Sequence, residues 1–331
     1  MEEIQRGRLQ LRFCPTGVMA ADGLTKLATS HVMEAFRGVL SGKPFDIPSS
    51  SAEFLEKSSA AQAYSTLQCE VSFGNLPMVE RRRRADRLAH SIVLESDVVT
   101  DEQLRQVLMT WGFAKNRSRK NVAPASEYIW SETFGLVYDR TGRWIISTAT
   151  RLFPSIAKVL NMWFRSRLRQ LSHPAFSDPL STWHWTGITV NRGYAAARHV
   201  DANNHGPSVI RSIASSSDRL RLWPRGDKRE LSTLSPAQAV ELPIASTSEL
   251  WAFDGRCPHE TKPCKSSVTD RLSIIFFQAS RGWKADPDTT SRLCDLGFVP
   301  AATMEDAARF DAKFGVLTGG DAYTCWRVTD T

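Results

Sequence analysis

The chain has 331 residues, with 42 Lys and Arg against 35 Asp and Glu, and 42% of its residues are hydrophobic. This composition allows a full core and excludes a peptide hormone, a fibrous protein and a low-complexity linker. No apolar stretch reaches the roughly 18 uncharged residues of a membrane-spanning helix, and the acidic first residues do not resemble a signal peptide. The six cysteines form no C-x-x-C pair. We therefore expect an intracellular protein with reduced thiols and no membrane partner.

The first fifty residues contain an alternating strand pattern at 9–13, a turn at 15–17 and a helical pattern at 20–40. Residues 14–26 include Ala-Asp-Gly-Leu-Thr-Lys and resemble the end of the ribonuclease H domain of copia-type retroelement polyproteins. In that family the Asp that matches Asp22 is one of several metal-binding carboxylates. One carboxylate cannot build a two-metal site, so we interpret residues 1–45 as a retroelement remnant, with a chance helix cap as the alternative.

Residues 46–120 are predicted to be a helical and linker region. A Ser/Ala-rich stretch at 48–61 lacks apolar periodicity, whereas residues 80–110 have apolar side chains at helical spacing. Two basic runs follow the linker, and their positive charge predicts contacts with a nucleic-acid backbone or a nuclear import signal. A solvated helix face or loop is the alternative. The residues in question are Arg81, Arg82, Arg83, Arg84, Lys115, Arg117, Arg119 and Lys120.

The third segment, 121–285, is predicted to hold the core. A hairpin is expected from 134–138 and 143–147 around a turn at 139–142, and a helix is expected from Pro154 onward. Short strands then follow at 187–190, 208–213, 220–223, 240–244, 250–253 and 272–278. An array of short strands beside helices indicates an α+β protein with a sandwich or jelly-roll core. Residues 286–331 are expected to form an acidic helical extension.

The strongest chemical signal is His199-Val200-Asp201, followed sixty residues after the first His by His259. Residues i and i+2 of a strand share a face, so His199 and Asp201 can point to one metal ion. His259 follows another predicted strand and a Gly255 turn, which can bring it beside them. Two imidazoles and one carboxylate on one side of a metal are typical of non-haem Fe(II) oxygenases.

Arg271 and Ser273 come at the start of the most apolar predicted strand. They share a face, so a guanidinium fork and a hydroxyl group could hold one carboxylate together. A structural ion pair with Asp270 or Asp254 is the alternative for Arg271.

Together these motifs resemble the signature of Fe(II)/2-oxoglutarate dioxygenases, whose core is a double-stranded β-helix. The flanking segments 191–194, 203–208 and 253–263 are similar to algal and protist members of the TET/JBP group. The resemblance implies Fe(II) held by His199, Asp201 and His259, with 2-oxoglutarate held by Arg271 and Ser273. It also implies O2 as the oxidant and hydroxylation of the methyl group of 5-methylcytosine or thymine in DNA. Some algal relatives use ascorbate as the co-substrate instead, and a nuclear location would fit a DNA substrate.

Four further residues are candidates for substrate binding. They lie beside the H-x-D pair, although a strand-end Asn, a rim Tyr and a loop His are often structural. They are Asn191, Tyr194, Asn203 and His205. Two other functions remain open: a dioxygenase of a protein side chain or small metabolite, and a non-catalytic nucleic-acid-binding fragment of a retroelement.

Overall fold

The computed structural model describes residues 76–117, 122–123, 129–169, 183–193, 195–213, 218–224, 231, 233–244, 250–262, 271–317 and 325–328. All of them belong to the compact unit Phe73–Thr331. The predicted remnant at 1–45 and the linker at 48–61 lie outside the described residues, as do Tyr194, Arg119 and Lys120. Within the described ranges, no helix has the length and apolar character needed to cross a membrane.

Among the described residues, α1 (Met78–Glu95) and α2 (Asp101–Thr110) precede the strands. A further two helices, α3 (Thr148–Leu152) and α4 (Pro154–Arg169), follow the first four strands. Two come last: α5 (Pro287–Asp295) and α6 (Met304–Leu317). The helix α2 begins with a capping box, because the Thr100 side chain accepts the backbone N–H of Gln103 while the Gln103 side chain accepts that of Thr100. In α4 the predicted apolar stripe is buried, as Ile156 and Trp163 illustrate.

The major sheet is antiparallel, and among the described residues its strands follow the order β1-β3-β5-β12-β7-β10-β13, with β4 paired to β3. Their bounds are β1 (Lys115–Asn116), β3 (Ile129–Tyr138), β4 (Trp144–Ile146), β5 (Gly187–Arg192), β7 (Asn204–Ile213), β10 (Leu250–Asp254), β12 (Leu272–Ala279) and β13 (Cys325–Val328). The predicted hairpin forms, with Tyr138 opposite Trp144.

The minor sheet has the order β11-β8-β9, from β8 (Arg219–Leu222), β9 (Val240–Pro243) and β11 (His259–Lys262). The short strand β6 (Ala195–Ala196) pairs with β2 (Val122–Ala123), and the Ala196 N–H donates to Thr261 Oγ1 on β11 at 2.7 Å. From β5 to β12 the chain passes repeatedly between the two sheets. This winding of antiparallel strands is a double-stranded β-helix, which confirms the predicted α+β jelly-roll class.

Side-chain alternation along β12 separates two cores. Ile274 and Phe276 face the helices, where the Phe276 ring stacks on Phe164 of α4 at 3.9 Å between centroids. Ser273, Ile275 and Phe277 face the space between the sheets. That space contains a second, smaller apolar cluster made of Ile210, Leu220, Leu222, Leu242, Ile244, Phe253 and Cys257. The barrel interior therefore combines apolar walls with a polar end.

Residues 286–331 include the expected helices and one strand that the sequence pattern does not indicate. The strand β13 pairs antiparallel with β10, for example Leu250 with Val328, and so covers the edge of the major sheet. At the other boundary, β1 joins the sheet before residue 121. Cys257 is buried and Cys294 is exposed, and neither forms a disulfide.

Candidate metal centre and its cavity

The three predicted ligands converge between the two sheets. The ligand atoms of His199, Asp201 and His259 all lie within 4.8 Å of one another. The Nε2 atom of His199 is 3.5 Å from Asp201 Oδ1, and the Nε2 atom of His259 is 3.8 Å from Asp201 Oδ2. Two imidazoles and one carboxylate at these separations form a group that can hold a metal ion, and they leave the opposite side open.

Backbone hydrogen bonds hold the three candidate ligands in position relative to one another. The main chains of His199 and His259 form an antiparallel bridge with two N–H···O bonds of 2.9 Å. The Asp201 N–H donates to the Gly255 carbonyl at 2.7 Å. The chain after the H-x-D pair is therefore bound to the segment that ends in His259, although sixty residues separate the two histidines.

Each histidine ring is also oriented by its other nitrogen. His199 Nδ1 lies 2.8 Å from the Ala197 carbonyl, and His259 Nδ1 lies 2.9 Å from the Cys257 carbonyl. A carbonyl only accepts, so each Nδ1 atom carries a proton, and each Nε2 atom faces the carboxylate. This is the usual arrangement of neutral metal-binding histidines. Asn204 Nδ2 donates to Asp201 Oδ2 at 3.2 Å and so holds the carboxylate in place.

A cavity of about 110 Å³ lies beside the three residues. Its walls come from both sheets and combine the apolar cluster with a few polar groups. The lining residues away from the metal group include Thr189, Asn191, Thr261, Ser273, Ile275 and Phe277. A small space with both polar and apolar walls beside a candidate metal centre suits a small polar co-substrate.

A row of buried polar side chains crosses the sheet at the end of the cavity away from the metal group. Ser131, Asn191, Ser273 and Ser212 lie opposite one another on β3, β5, β12 and β7. The Ser131 hydroxyl donates to Asn191 Oδ1 at 2.9 Å, and Asn191 Nδ2 donates to Ser273 Oγ at 3.5 Å. Asn191 therefore ties this row together, and it also lines the cavity, as a substrate or co-substrate ligand must.

Next to this row lies a buried ion pair, of which the sequence analysis identified only Arg271. Arg271 Nε donates to Asp218 Oδ2 at 2.8 Å, and both side chains are buried. The Ser212 hydroxyl also donates to Asp218. The ion-pair alternative named Asp270 or Asp254, but Asp254 instead pairs with Arg256 at 2.7 Å, and Asp270 lies outside the described residues. Asp218 was not identified because no local pattern relates it to a strand that begins 54 residues later.

The structure separates the other candidate substrate residues. Asn203 lines a large groove next to the cavity, together with Asn204. His205 lines neither space, and its ring lies edge-on against Trp283 at 5.5 Å between centroids. The reason is strand alternation: β7 begins at Asn204, so His205 points to the opposite side of the sheet.

The first basic run mainly makes contacts within the protein. Arg81 donates to the Met109 and Thr110 carbonyls at 2.9 and 3.3 Å, and burial lowers its pKa. Arg82 donates to the Gly112 carbonyl at 2.7 Å and pairs with Glu132.

The remaining described cations differ in their surroundings. Arg84 pairs with Glu80 at 3.2 Å, and Arg83 is exposed. In the second run, Lys115 Nζ lies 5.8 Å from the Trp130 ring centroid and Arg117 is exposed.

Solved structures with weak similarity to this chain include two oxygenases. A prolyl-4-hydroxylase from Pseudomonas putida is 14% identical, with a TM-score of 0.24, 62% of this chain covered and 88% of that chain. YcfD, a ribosomal oxygenase from Escherichia coli solved in complex with cobalt and succinic acid, is 12% identical, with a TM-score of 0.25, 64% of this chain covered and 61% of that chain. No protein-family model matches the chain, and no curated protein matches it. The fold assignment accordingly rests on the strand order described above.

Proposed function

We propose that this protein is an Fe(II)- and 2-oxoglutarate-dependent dioxygenase that hydroxylates a methyl group, with 5-methylcytosine or thymine in DNA as the substrate. The observation that carries the proposal is the convergence of His199, Asp201 and His259 beside a small cavity between the two sheets. Two neutral imidazoles and one carboxylate fit Fe(II), and they leave coordination positions for a co-substrate and O2. When bound, the metal supplies oxygen activation coupled to oxidative decarboxylation of the co-substrate.

The chain's own residues supply position and environment. Hydrogen bonds from both Nδ1 atoms to carbonyl groups orient the two rings and leave each Nε2 atom to bind the metal. The apolar walls, with Phe253, Ile275 and Phe277, limit the access of water. In the buried polar row, Asn191 and Ser273 line the cavity and can donate hydrogen bonds to the far end of a co-substrate. Arg271, which pairs with Asp218, lies next to this row but not in the cavity lining.

The substrate part of the proposal is supported by the resemblance of residues 181–283 to the TET/JBP group and by the net charge of +7. A base inside a duplex cannot reach a recessed metal, so it would have to leave the helical stack. Dioxygenases of proteins or metabolites use the same metal group, and they would differ only around the entrance.

The direct test is single-turnover chemistry. The full chain is loaded with Fe(II) without oxygen, mixed with 2-oxoglutarate or ascorbate, and then exposed to O2 with methylated DNA. Mass spectrometry of the nucleosides is expected to show an oxidised 5-methyl group together with succinate from 2-oxoglutarate. If DNA stays unmodified while a methylated peptide or metabolite is oxidised, the substrate assignment is wrong. If no co-substrate is consumed under any condition, the dioxygenase assignment is wrong.

A further inference from the structure

A wide groove of about 1070 Å³ lies next to the metal cavity. Asn204 and Phe277 line both spaces, so the groove and the cavity share two walls. The Phe277 ring lies directly over Gly187, where a Cβ atom would come within 2.5 Å of the ring. The groove therefore adjoins the cavity that contains the candidate metal centre.

Three cations line this groove, namely Arg143, Arg281 and Lys284, and all three side chains are exposed. One acidic residue, Asp286, belongs to the described lining, and its carboxylate accepts the Thr289 N–H at 2.8 Å as the cap of α5. Arg143 also pairs with Asp139 at 3.5 Å, outside the lining. The lining itself has a net positive charge, which complements a phosphate chain.

Arg281 has a backbone conformation that rarely suits its residue type. Its φ of 63° makes it the one non-glycine residue with positive φ in the described part of the chain. Glycine would occupy this position without strain, and strained positions of this kind occur most often at functional sites. The loop after β12, which contains Ser280 and Arg281, also contacts the segment that follows the H-x-D pair, because the Ser280 N–H donates to the Asn203 carbonyl at 2.7 Å.

Aromatic rings complete the groove on the β3–β4 hairpin. Tyr138 and Trp144 lie side by side, with centroids 5.0 Å apart, and Tyr138 is 63% exposed. An exposed ring beside cations is the combination that binds single-stranded nucleic acids, since bases stack on the ring while phosphates meet the charges.

We propose that this groove binds a single strand of DNA and leads one base toward the metal cavity. Phosphates lie against Arg143, Arg281 and Lys284, and a base neighbouring the target stacks on Tyr138. A single strand fits better than a duplex, because the target atom must pass Phe277 to reach the recessed metal group. This inference rests on the proposed function for the reaction and adds the strand state and the surface that binds it.

The test is fluorescence anisotropy of a labelled single-stranded oligodeoxynucleotide with the full chain, measured over a range of salt concentrations. Arg281→Gly removes the charge and relieves the backbone strain, so it is not expected to impair folding. We expect it to weaken binding about fivefold and to lower the salt slope by about 0.7, the value for one phosphate contact on a single strand. Tyr138→Ala is expected to weaken binding about 5- to 150-fold with the salt slope unchanged.

Two control variants accompany these measurements. Arg281→Lys keeps the charge and should bind nearly as well as the wild type. Lys158→Ala removes an exposed cation of α4 that does not line the groove, and it should leave binding unchanged.

Three results would overturn the inference. They are equal binding by Arg281→Gly, Tyr138→Ala and wild type, tighter binding of duplex than of single strand, and equal competition by polyglutamate, which has no bases. Fe(II) binding and co-substrate consumption by the wild-type chain are measured separately. Their absence would refute the proposed function while the anisotropy result still decides the role of the groove.

Discussion

Arg271 and Asp218 form a buried ion pair inside the double-stranded β-helix. A guanidinium buried beside Ser273 needs an anion nearby, and Asp218 provides one without any ligand. Asp218 has no exposed surface. A co-substrate carboxylate that binds near Ser273 must therefore either share the Arg271 guanidinium with Asp218 or displace Asp218 from it.

Arg271→Lys keeps the positive charge but loses the planar fork. We expect the Michaelis constant for 2-oxoglutarate to rise about 5- to 150-fold, equivalent to about 1–3 kcal/mol, with Fe(II) binding preserved. Steady-state kinetics over a range of 2-oxoglutarate concentrations measure this change. Unchanged saturation would instead identify Arg271 as a purely structural partner of Asp218.

Asp218→Asn separates the two roles of the pair. It removes the carboxylate that pairs with Arg271, so we expect the free energy of unfolding to fall by about 3–5 kcal/mol in the absence of ligand. Added 2-oxoglutarate should recover more stability in this variant than in the wild type if the far carboxylate reaches Arg271. Equal recovery in both proteins, measured by denaturant unfolding, would contradict that placement.

Individual residues also show how far sequence reasoning reaches. The H-x-D spacing predicted a shared face for His199 and Asp201, because alternation within a strand is a local property. His205, a candidate for substrate binding, does not line the cavity, since the start of β7 at Asn204 sets the alternation and cannot be read from composition. The pairing of Asp218 with Arg271 could not be predicted, because only the tertiary structure brings the two residues together.

At the scale of single elements, several predicted strands agree closely with those observed, but β3 begins five residues and β7 four residues before the predicted start, and β11 was not predicted. The strand predicted at 272–278 occurs at Leu272–Ala279, and the one predicted at 250–253 occurs at Leu250–Asp254. Apolar runs between polar turns define such strands well. The two-residue strands β1 and β6 carry too few residues to form any pattern, and β13 depends on the free edge that β10 offers.

The helix α2 is held to the sheet by its first residue. Asp101 accepts the Trp163 indole N–H at 2.8 Å and an N–H of Arg167 at 2.9 Å, and it pairs with the buried Arg211 of β7. Asp101→Ala removes all three contacts, so we expect the free energy of unfolding to fall by about 3 kcal/mol.

The matched control is Asp97→Ala, which changes an exposed carboxylate just before α2 and should cost less than about 0.5 kcal/mol. Denaturant unfolding of both variants gives the comparison. Similar losses in the two would show that the Asp101 contacts do not join α2 to the sheet.

At the scale of the whole molecule, the two faces of the major sheet have different roles: one packs against helices and the other lines the cavity. The larger apolar cluster joins α1, α2 and α4 to the outer face of the major sheet, while the inner face forms the cavity. This division allows the inner face to carry polar residues, because most of the apolar burial occurs on the other side.

The contact of α6 with the rest of the protein predicts a pH dependence. His184 lies edge-on to Phe310 at 5.6 Å, and burial lowers the pKa of its imidazole below the ordinary 6.5, despite the opposing charge of Asp306. The unfolded chain then binds the proton more readily. The part of the folding free energy that depends on His184 is complete above pH 6.5 and is lost as the pH falls below it.

His184→Gln should remove this part of the pH dependence. Unfolding is measured from about pH 7.5 to pH 5 for both proteins, and the difference between their free energies isolates His184 from the other histidines. Parallel curves for wild type and variant would contradict the account.

The central claim is that His199, Asp201 and His259 hold the metal, and anaerobic Fe(II) titration tests it most directly. Addition of 2-oxoglutarate to the loaded protein should give a charge-transfer absorption band at one equivalent of iron. His199→Ala, Asp201→Ala and His259→Ala should each lose the band and bind Fe(II) at least tenfold more weakly, about 1.4 kcal/mol. His205→Ala, which changes a histidine outside the cavity, should titrate like the wild type. Unchanged Fe(II) affinity in the three ligand variants would contradict the metal centre.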